Sequence, residues 1–177
     1  MRVIAGRLRG RTLVVPRGAH TRPTSDRVRE ALFSILGDIH GLRVLDLFAG
    51  SGALAIEALS RGAAAATLVD SSPAAIAVIK RNLETLGLVA EVRAQPARRY
   101  LRAARIAARQ YDLVLLDPPY DHPSELGREL SEELRPLLAD EARIVSESDR
   151  RSPLELDVPL RIERRYGDTL IRIHGAR

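Results

Sequence analysis

Between Arg43 and Gly62 the chain reads RVLDLFAGSGALAIEALSRG, and this stretch limits the possible fold more than any other. Val44 to Phe48 is a short apolar run holding one acid, Asp46, and it closes in Ala49-Gly50-Ser51-Gly52. Apolar residues then return at helical spacing (Leu54, Ile56, Ala58, Leu59), with Glu57 and Arg61 as the polar positions. Strand, glycine turn and helix in that order open a doubly wound nucleotide-binding sheet, where small residues let a ligand approach the helix N-terminus. The acid narrows the choice of ligand. A dinucleotide would bring its pyrophosphate to the turn, where a carboxylate four residues before Gly50 repels it. A ligand with a cationic ammonium, such as the methionyl end of S-adenosylmethionine, suits Asp46 instead.

The second strand supports that choice. Ala65 to Val69 is β-prone and ends at Asp70, 18 residues beyond Gly52. A carboxylate about 20 residues after the turn, at the tip of the second strand, is placed to accept both hydroxyls of a ribose. A surface turn acid is the alternative.

The remaining chain fits one α/β domain of alternating strands and helices. Arg2 to Ala5 and Thr12 to Val15 read as a β-hairpin around an arginine-rich turn, followed by a loop from Pro16 to Pro23. Thr24 or Ser25 caps a helix of residues 26 to 38, ended by Gly37 or Gly41. Pro73 to Leu86 is a helix stopped by Gly87, Leu88 to Ala94 a third strand, and Ala97 to Gln110 a helix whose five arginines read as a solvated face. Tyr111 to Leu116 is apolar enough for a central parallel strand. A helix near 123 to 138, a strand from Ala142 to Ser146, and a hairpin of 161–166 and 169–174 around Gly167-Asp168 complete the pattern. The expected architecture is a Rossmann-like, mixed seven-stranded sheet with helices on both faces. Residues 1–40 form a basic hairpin and helix, and residues 41–177 the catalytic domain.

Charge and missing residue types bound the chemistry. The 177-residue chain carries a net charge of +5, with a pI of about 10.3. Residues 1 to 30 hold eight arginines against Asp26 and Glu30, so the excess lies wholly at the N-terminal end and points to a polyanionic partner. Arg7, Arg9 and Arg11 on the hairpin turn, with Arg22, Thr24 and Arg27 at the helix start, are the candidate contacts to nucleic-acid phosphates. A basic edge hairpin without such a role, and simple capping around Arg22, Thr24 and Arg27, are the alternatives. Cysteine is absent, which removes disulfides, thiolate metal sites and the cysteine attack commonly used in pyrimidine C5 methylation. Four scattered histidines show no ligand spacing, so no metal is expected. No apolar run reaches the ~18 residues of a membrane span and no signal peptide opens the chain, so a cytoplasmic protein is expected.

The fourth strand ends in Asp117-Pro118-Pro119-Tyr120. In a doubly wound sheet strands one and four are neighbours, so this turn faces a ligand held by the glycine turn. An exocyclic base amine is a poor nucleophile because its lone pair is delocalised into the ring. If the Asp117 carboxylate and the Pro118 carbonyl hold its two N–H groups, the lone pair turns toward a sulfonium methyl. Pro118 and Pro119 stiffen the turn and leave its carbonyls free to accept. Tyr120 offers a face for an unstacked base, worth about 1–3 kcal/mol.

These motifs carry a resemblance. A Gly-Ser-Gly turn paired with Asp-Pro-Pro-Tyr is similar to the amino-methyltransferases of nucleic acids. Arg22-Pro23-Thr24, Asp26 to Glu30, Leu45 to Leu54, Glu57 to Arg61, Asp117 to Tyr120 and Tyr166 to Thr169 resemble the RsmD-type enzymes almost end to end. That family modifies N2 of one guanine in bacterial small-subunit (16S) ribosomal RNA. The resemblance implies S-adenosylmethionine as cofactor, held by Asp46, Phe48, Ala49, Gly50, Ser51, Gly52, Asp70 and Ser71, with Asp117 to Tyr120 holding the guanine. Related enzymes often carry Asp or Asn after the third strand to accept the adenine amine. Pro96 stands there in this chain, so Gln95 or a backbone carbonyl takes that part. The expected partner is ribosomal RNA, within the small subunit or an assembly intermediate, and the protein is expected to act as a monomer. Two rivals stay open: a DNA adenine-N6 or cytosine-N4 methyltransferase, and a non-catalytic RNA-binding assembly factor on the same scaffold.

Overall fold

The computed structural model describes residues 1–16, 25–118 and 123–175. Among them run seven strands: β1 (Arg43–Asp46), β2 (Ala65–Asp70), β3 (Glu91–Ala94), β4 (Tyr111–Leu116), β5 (Leu138–Asp149), β6 (Leu160–Tyr166) and β7 (Thr169–Gly175). Five helices alternate with them: α1 (Asp26–Leu36), α2 (Ala53–Ser60), α3 (Pro73–Leu86), α4 (Ala97–Ile106) and α5 (Pro123–Leu134). The strands form one mixed sheet in the order β3-β2-β1-β4-β5-β7-β6. The first five are parallel, and β7 runs antiparallel between β5 and β6. The chain winds from β1 outward to β3, then returns past β1 to β4. Connections on either side of that point leave in opposite directions and open a crevice beyond the strand ends.

Strand alternation divides the core in two. Val44, Leu113, Leu115 and Val145 face one side with α1, α2 and α3, whereas Leu45, Val114, Leu116 and Ile144 face the other with α4 and α5. Asp46 takes its place on the first side, because it follows Val44 by two residues and pairs in register with Leu115.

Several boundaries differ from the sequence expectation. β3 begins at Glu91, not Leu88, because Leu88 is used to end α3. Gly87 adopts φ +62°, its N–H bonds to the Glu84 carbonyl and the Leu88 N–H to the Leu83 carbonyl, and Leu88 buries against the same cluster as Leu83. That is a Schellman cap with its apolar contact. α4 stops at Ile106 through the same bonds, Ala108 to Arg105 and Arg109 to Ala104, but with Ala108 at φ +49° where glycine is usual. No glycine marks this end, so the sequence pattern runs the helix too long. α5 gives way to a short 3-10 turn at Arg135–Leu137, where Pro136 has no N–H to continue an α-helix. β5 outruns its apolar stretch because β7 pairs along it as far as Asp149.

All eight residues of α2 are buried, Glu57 included. The covering is the N-terminal segment. Its hairpin closes on itself through backbone hydrogen bonds from Val3 to Arg11, Gly10 to Val3 and Leu13 to Met1, and it docks on α2. Glu57 accepts the Ile4 N–H at 2.7 Å and the Ala5 N–H at 3.0 Å, while Ser60 accepts from Leu8 through Oγ and from Arg7 through its carbonyl. Gly6 sits at φ +79°, and a Cβ there would lie 1.9 Å from the Ser60 carbonyl oxygen. Val3 and Leu13 join the core cluster of α1 and α2.

Candidate active site

A cavity of about 590 Å³ opens where β1, β2 and β4 end. The glycine turn forms part of its wall. Gly50 (φ +55°) and Gly52 (φ +78°) take the left-handed backbone that brings the chain from β1 into α2, and a Cβ on Gly52 would meet Leu68 at 2.9 Å. Gly52 is buried and does not line the cavity, while Phe48, Ala49, Gly50 and Ser51 do.

Asp46 is 1% exposed and opens onto this cavity. Its Oδ2 accepts the Ala55 N–H at 3.2 Å, in the first turn of α2, and its Oδ1 has no partner among the described residues. Burial raises its pKa to about 7, against the opposing Ala55 hydrogen bond and with help from the charge of Asp70. An orphaned, buried carboxylate oxygen on a cavity wall is the kind of group that a cationic ligand satisfies.

Asp70 ties the two strand tips together. Its Oδ2 accepts the Gly50 N–H at 2.9 Å and its Oδ1 the Ser72 N–H at 2.8 Å. Each oxygen keeps further acceptor capacity, so the carboxylate is compatible with ribose hydroxyls as well. Ser71 lines the cavity beside it. Gln95 stands next to the wall, not in it. Its backbone N–H bonds to the Asp70 carbonyl at 3.0 Å, and the following Pro96 and Ala97 face the cavity.

Asp117 lines the same cavity, one residue beyond β4 and beside the end of β1. Burial holds its carboxyl well above the usual carboxylate range, and the charges of Glu147 and Asp46 push it the same way. Glu147, 4% exposed on β5, is placed beside it because Leu116 pairs in register with Ser146. Pro118 is buried and is not among the residues lining the cavity. Pro119 and Tyr120 lie outside the described residues, as do Arg22 and Thr24.

Arg7, Arg9, Arg11 and Arg27 are exposed, and Arg11 donates to the Thr85 carbonyl at 3.0 Å. Arg29 belongs to the same basic stretch but is fully buried, donating to the Arg2 carbonyl and to Asp26. Arg98 and Arg102 of α4 reach Glu129 and Glu133 of α5 at 3.3 and 3.6 Å and stay more than half exposed. Among the described residues there is no metal-ligating cluster, and no helix is long and apolar enough to cross a membrane.

Met1, Val15 and Pro16 also line the cavity, although nothing in their local sequence signals it. The available signal is Asn82, a polar residue beside Leu83 on the apolar stripe of α3.

Residues 1–174 match the family model described as conserved hypothetical protein 95. The chain is 40% identical to YlbH of Bacillus subtilis over 184 aligned residues covering all of both chains. It is 42% identical to ribosomal RNA small subunit methyltransferase D of Escherichia coli K12, over 84% of this chain and 75% of that one. Among solved structures, YhhF from Escherichia coli superposes with a TM-score of 0.84 at 38% identity, covering 99% of this chain and 97% of the other. The chain therefore belongs to the conserved hypothetical protein 95 family and is related to ribosomal RNA small subunit methyltransferase D of Escherichia coli.

Proposed function

We propose that the protein methylates the exocyclic N2 of a guanine in bacterial 16S ribosomal RNA, acting as a monomer in the cytoplasm on the small subunit or an assembly intermediate. The observation that carries this reading is that Asp46 and Asp117, on adjacent parallel strands, open onto the same cavity. S-adenosylmethionine supplies an electrophilic methyl when bound. Asp46 and its free Oδ1 hold the methionyl ammonium, Asp70 the ribose, and the turn at Gly50 and Ser51 lets the ligand approach the backbone.

Asp117 and the Pro118 carbonyl accept the two N–H groups of the guanine amine, with Pro119 stiffening the turn and Tyr120 stacking on the base. As the nitrogen bonds to carbon it becomes cationic, and an ionised Asp117 stabilises that charge and takes the proton that leaves. The elevated pKa of Asp117 makes it a competent proton acceptor once it is ionised. Residues 1–40 hold RNA phosphates through Arg7, Arg9, Arg11, Arg22, Thr24 and Arg27, and residues 41–177 carry out the transfer. Because the base must leave its stack, an RNA loop is a better substrate than a regular duplex. The name of the Escherichia coli relative supports small-subunit ribosomal RNA as the substrate class.

The test is incubation with methyl-labelled donor and separate 16S RNA, 30S particle and DNA pools, followed by nucleoside mass mapping. N2-methylguanosine in the ribosomal pools is expected, and label in DNA alone overturns the reading. Asp117→Ala is expected to lower turnover by about 100-fold or more with donor affinity near that of the wild type. An unchanged rate would favour a non-catalytic assembly factor.

A further inference from the structure

Asn82 lies within the apolar stripe that α3 turns to the core, beside Leu83, and is 2% exposed. A buried amide needs partners, and this one finds them away from its own helix. Its Oδ1 accepts the Val14 N–H at 2.9 Å and its Nδ2 donates to the Val14 carbonyl at 2.9 Å. The side chain thus pairs with Val14 as a neighbouring strand would. Nδ2 also donates to the Ser51 carbonyl, at 3.0 Å, in the glycine turn.

The two residues after Val14 are Val15 and Pro16, both on the cavity wall. Val14 and Val15 are each 37% exposed, so burial alone does not fix this segment, and neither belongs to a strand. Resting on the assignment of this cavity to the methyl donor, we propose that Asn82 is a positioning residue for donor binding. Its amide clasps Val14 to Ser51 and so holds Val15 and Pro16 as one wall of the cavity. Without the clasp the donor loses enclosure on that side. The transfer chemistry at Asp117 keeps its geometry, because none of the Asn82 hydrogen bonds reaches Asp117. The signature is therefore weaker donor binding with an unchanged rate once donor is saturating.

The test uses full-length Asn82→Ala and Asn82→Asp, with Asp46→Asn as reference, titrated with S-adenosylhomocysteine by calorimetry. Asn82→Asp keeps the acceptor for Val14 N–H but loses both donated bonds, which guards against a misfolded alanine variant. Affinity is expected to fall about tenfold, as for one or two missing hydrogen bonds. kcat at saturating S-adenosylmethionine should stay within about twofold of the wild type, with faster hydrogen exchange at the Val14 and Val15 amides. Wild-type affinity in both folded Asn82 variants, with only a lower thermal midpoint, would overturn the clasp and leave Asn82 a support of the fold. Asp46→Asn binding like the wild type would instead overturn the cavity assignment, and the role of Asn82 with it.

Discussion

At the scale of single residues, Asp46 gives the sharpest prediction. Its folded pKa of about 7 lies far above the ~3.9 of an unfolded aspartate, so the folded state binds the extra proton. Stability attributable to Asp46 is therefore full below about pH 4 and is lost as pH rises toward 7, by about 1.4 kcal/mol per unit while the group ionises only on unfolding. Asp117 acts in the same direction. His174, whose pKa burial lowers, acts oppositely below its unfolded pKa of ~6.5, so the informative quantity is the difference between wild type and Asp46→Asn. Thermal melts without donor should fall from pH 5 to 8 less steeply in the variant. Donor affinity should rise through pH 7 in the wild type and stay flat in Asp46→Asn, since an ionised carboxylate is what attracts the ammonium. A wild-type affinity independent of pH from 6 to 8 would remove Asp46 from that role. Ala108 offers a second prediction at this scale. Held at φ +49°, it should give way to glycine with a gain of about 0.5–1 kcal/mol, read as a higher thermal midpoint.

At the scale of elements, the N-terminal hairpin is the case to test. It docks on α2 through Glu57 and Ser60, and at Gly6 the missing Cβ leaves room for the Ser60 carbonyl. Gly6→Ala combines a left-handed backbone with a clash against main chain, and should cost about 2–4 kcal/mol in a denaturant titration. A smaller loss would mean that the hairpin hardly leans on α2. This element also shows where sequence ceases to be legible. The hairpin itself can be read from its β-prone runs and glycines. Its docking cannot, because Glu57 and Ser60 sit at helical positions that look like a solvated face until another segment covers them. By contrast α3 is legible at both ends, since Ser72, Pro73 and Gly87 are local signals acting on their own backbone.

At the scale of the whole molecule, the adjacency of β1 and β4 follows from alternation and from the apolar run at Tyr111 to Leu116, and Asp46, Asp70 and Asp117 are placed by their positions at strand ends. The wall made by Met1, Val15 and Pro16 is not legible, since it joins residues far apart in the chain. The exposed arginines make a prediction at this scale. Reversing the charge at Arg7, Arg9 and Arg11 together should weaken 16S RNA binding and flatten the slope of log affinity against log salt. The slope should change by about 0.7–0.9 for each phosphate no longer neutralised. An unaltered slope would show that the turn touches no phosphate.

The hydrogen bonds that dock the hairpin carry a consequence for how the chain comes to be folded. Ile4 finds its acceptor 53 residues downstream and Val14 finds Asn82 68 residues downstream, so the earliest part of the polypeptide must wait for α2 and α3 before it can settle. Closing loops of that length belongs to the slow, late side of assembly. Capacity to take up the methyl donor should thus emerge only at the final stage of refolding, after the central strands are already protected, and stopped-flow donor uptake set beside pulsed exchange kinetics would time it.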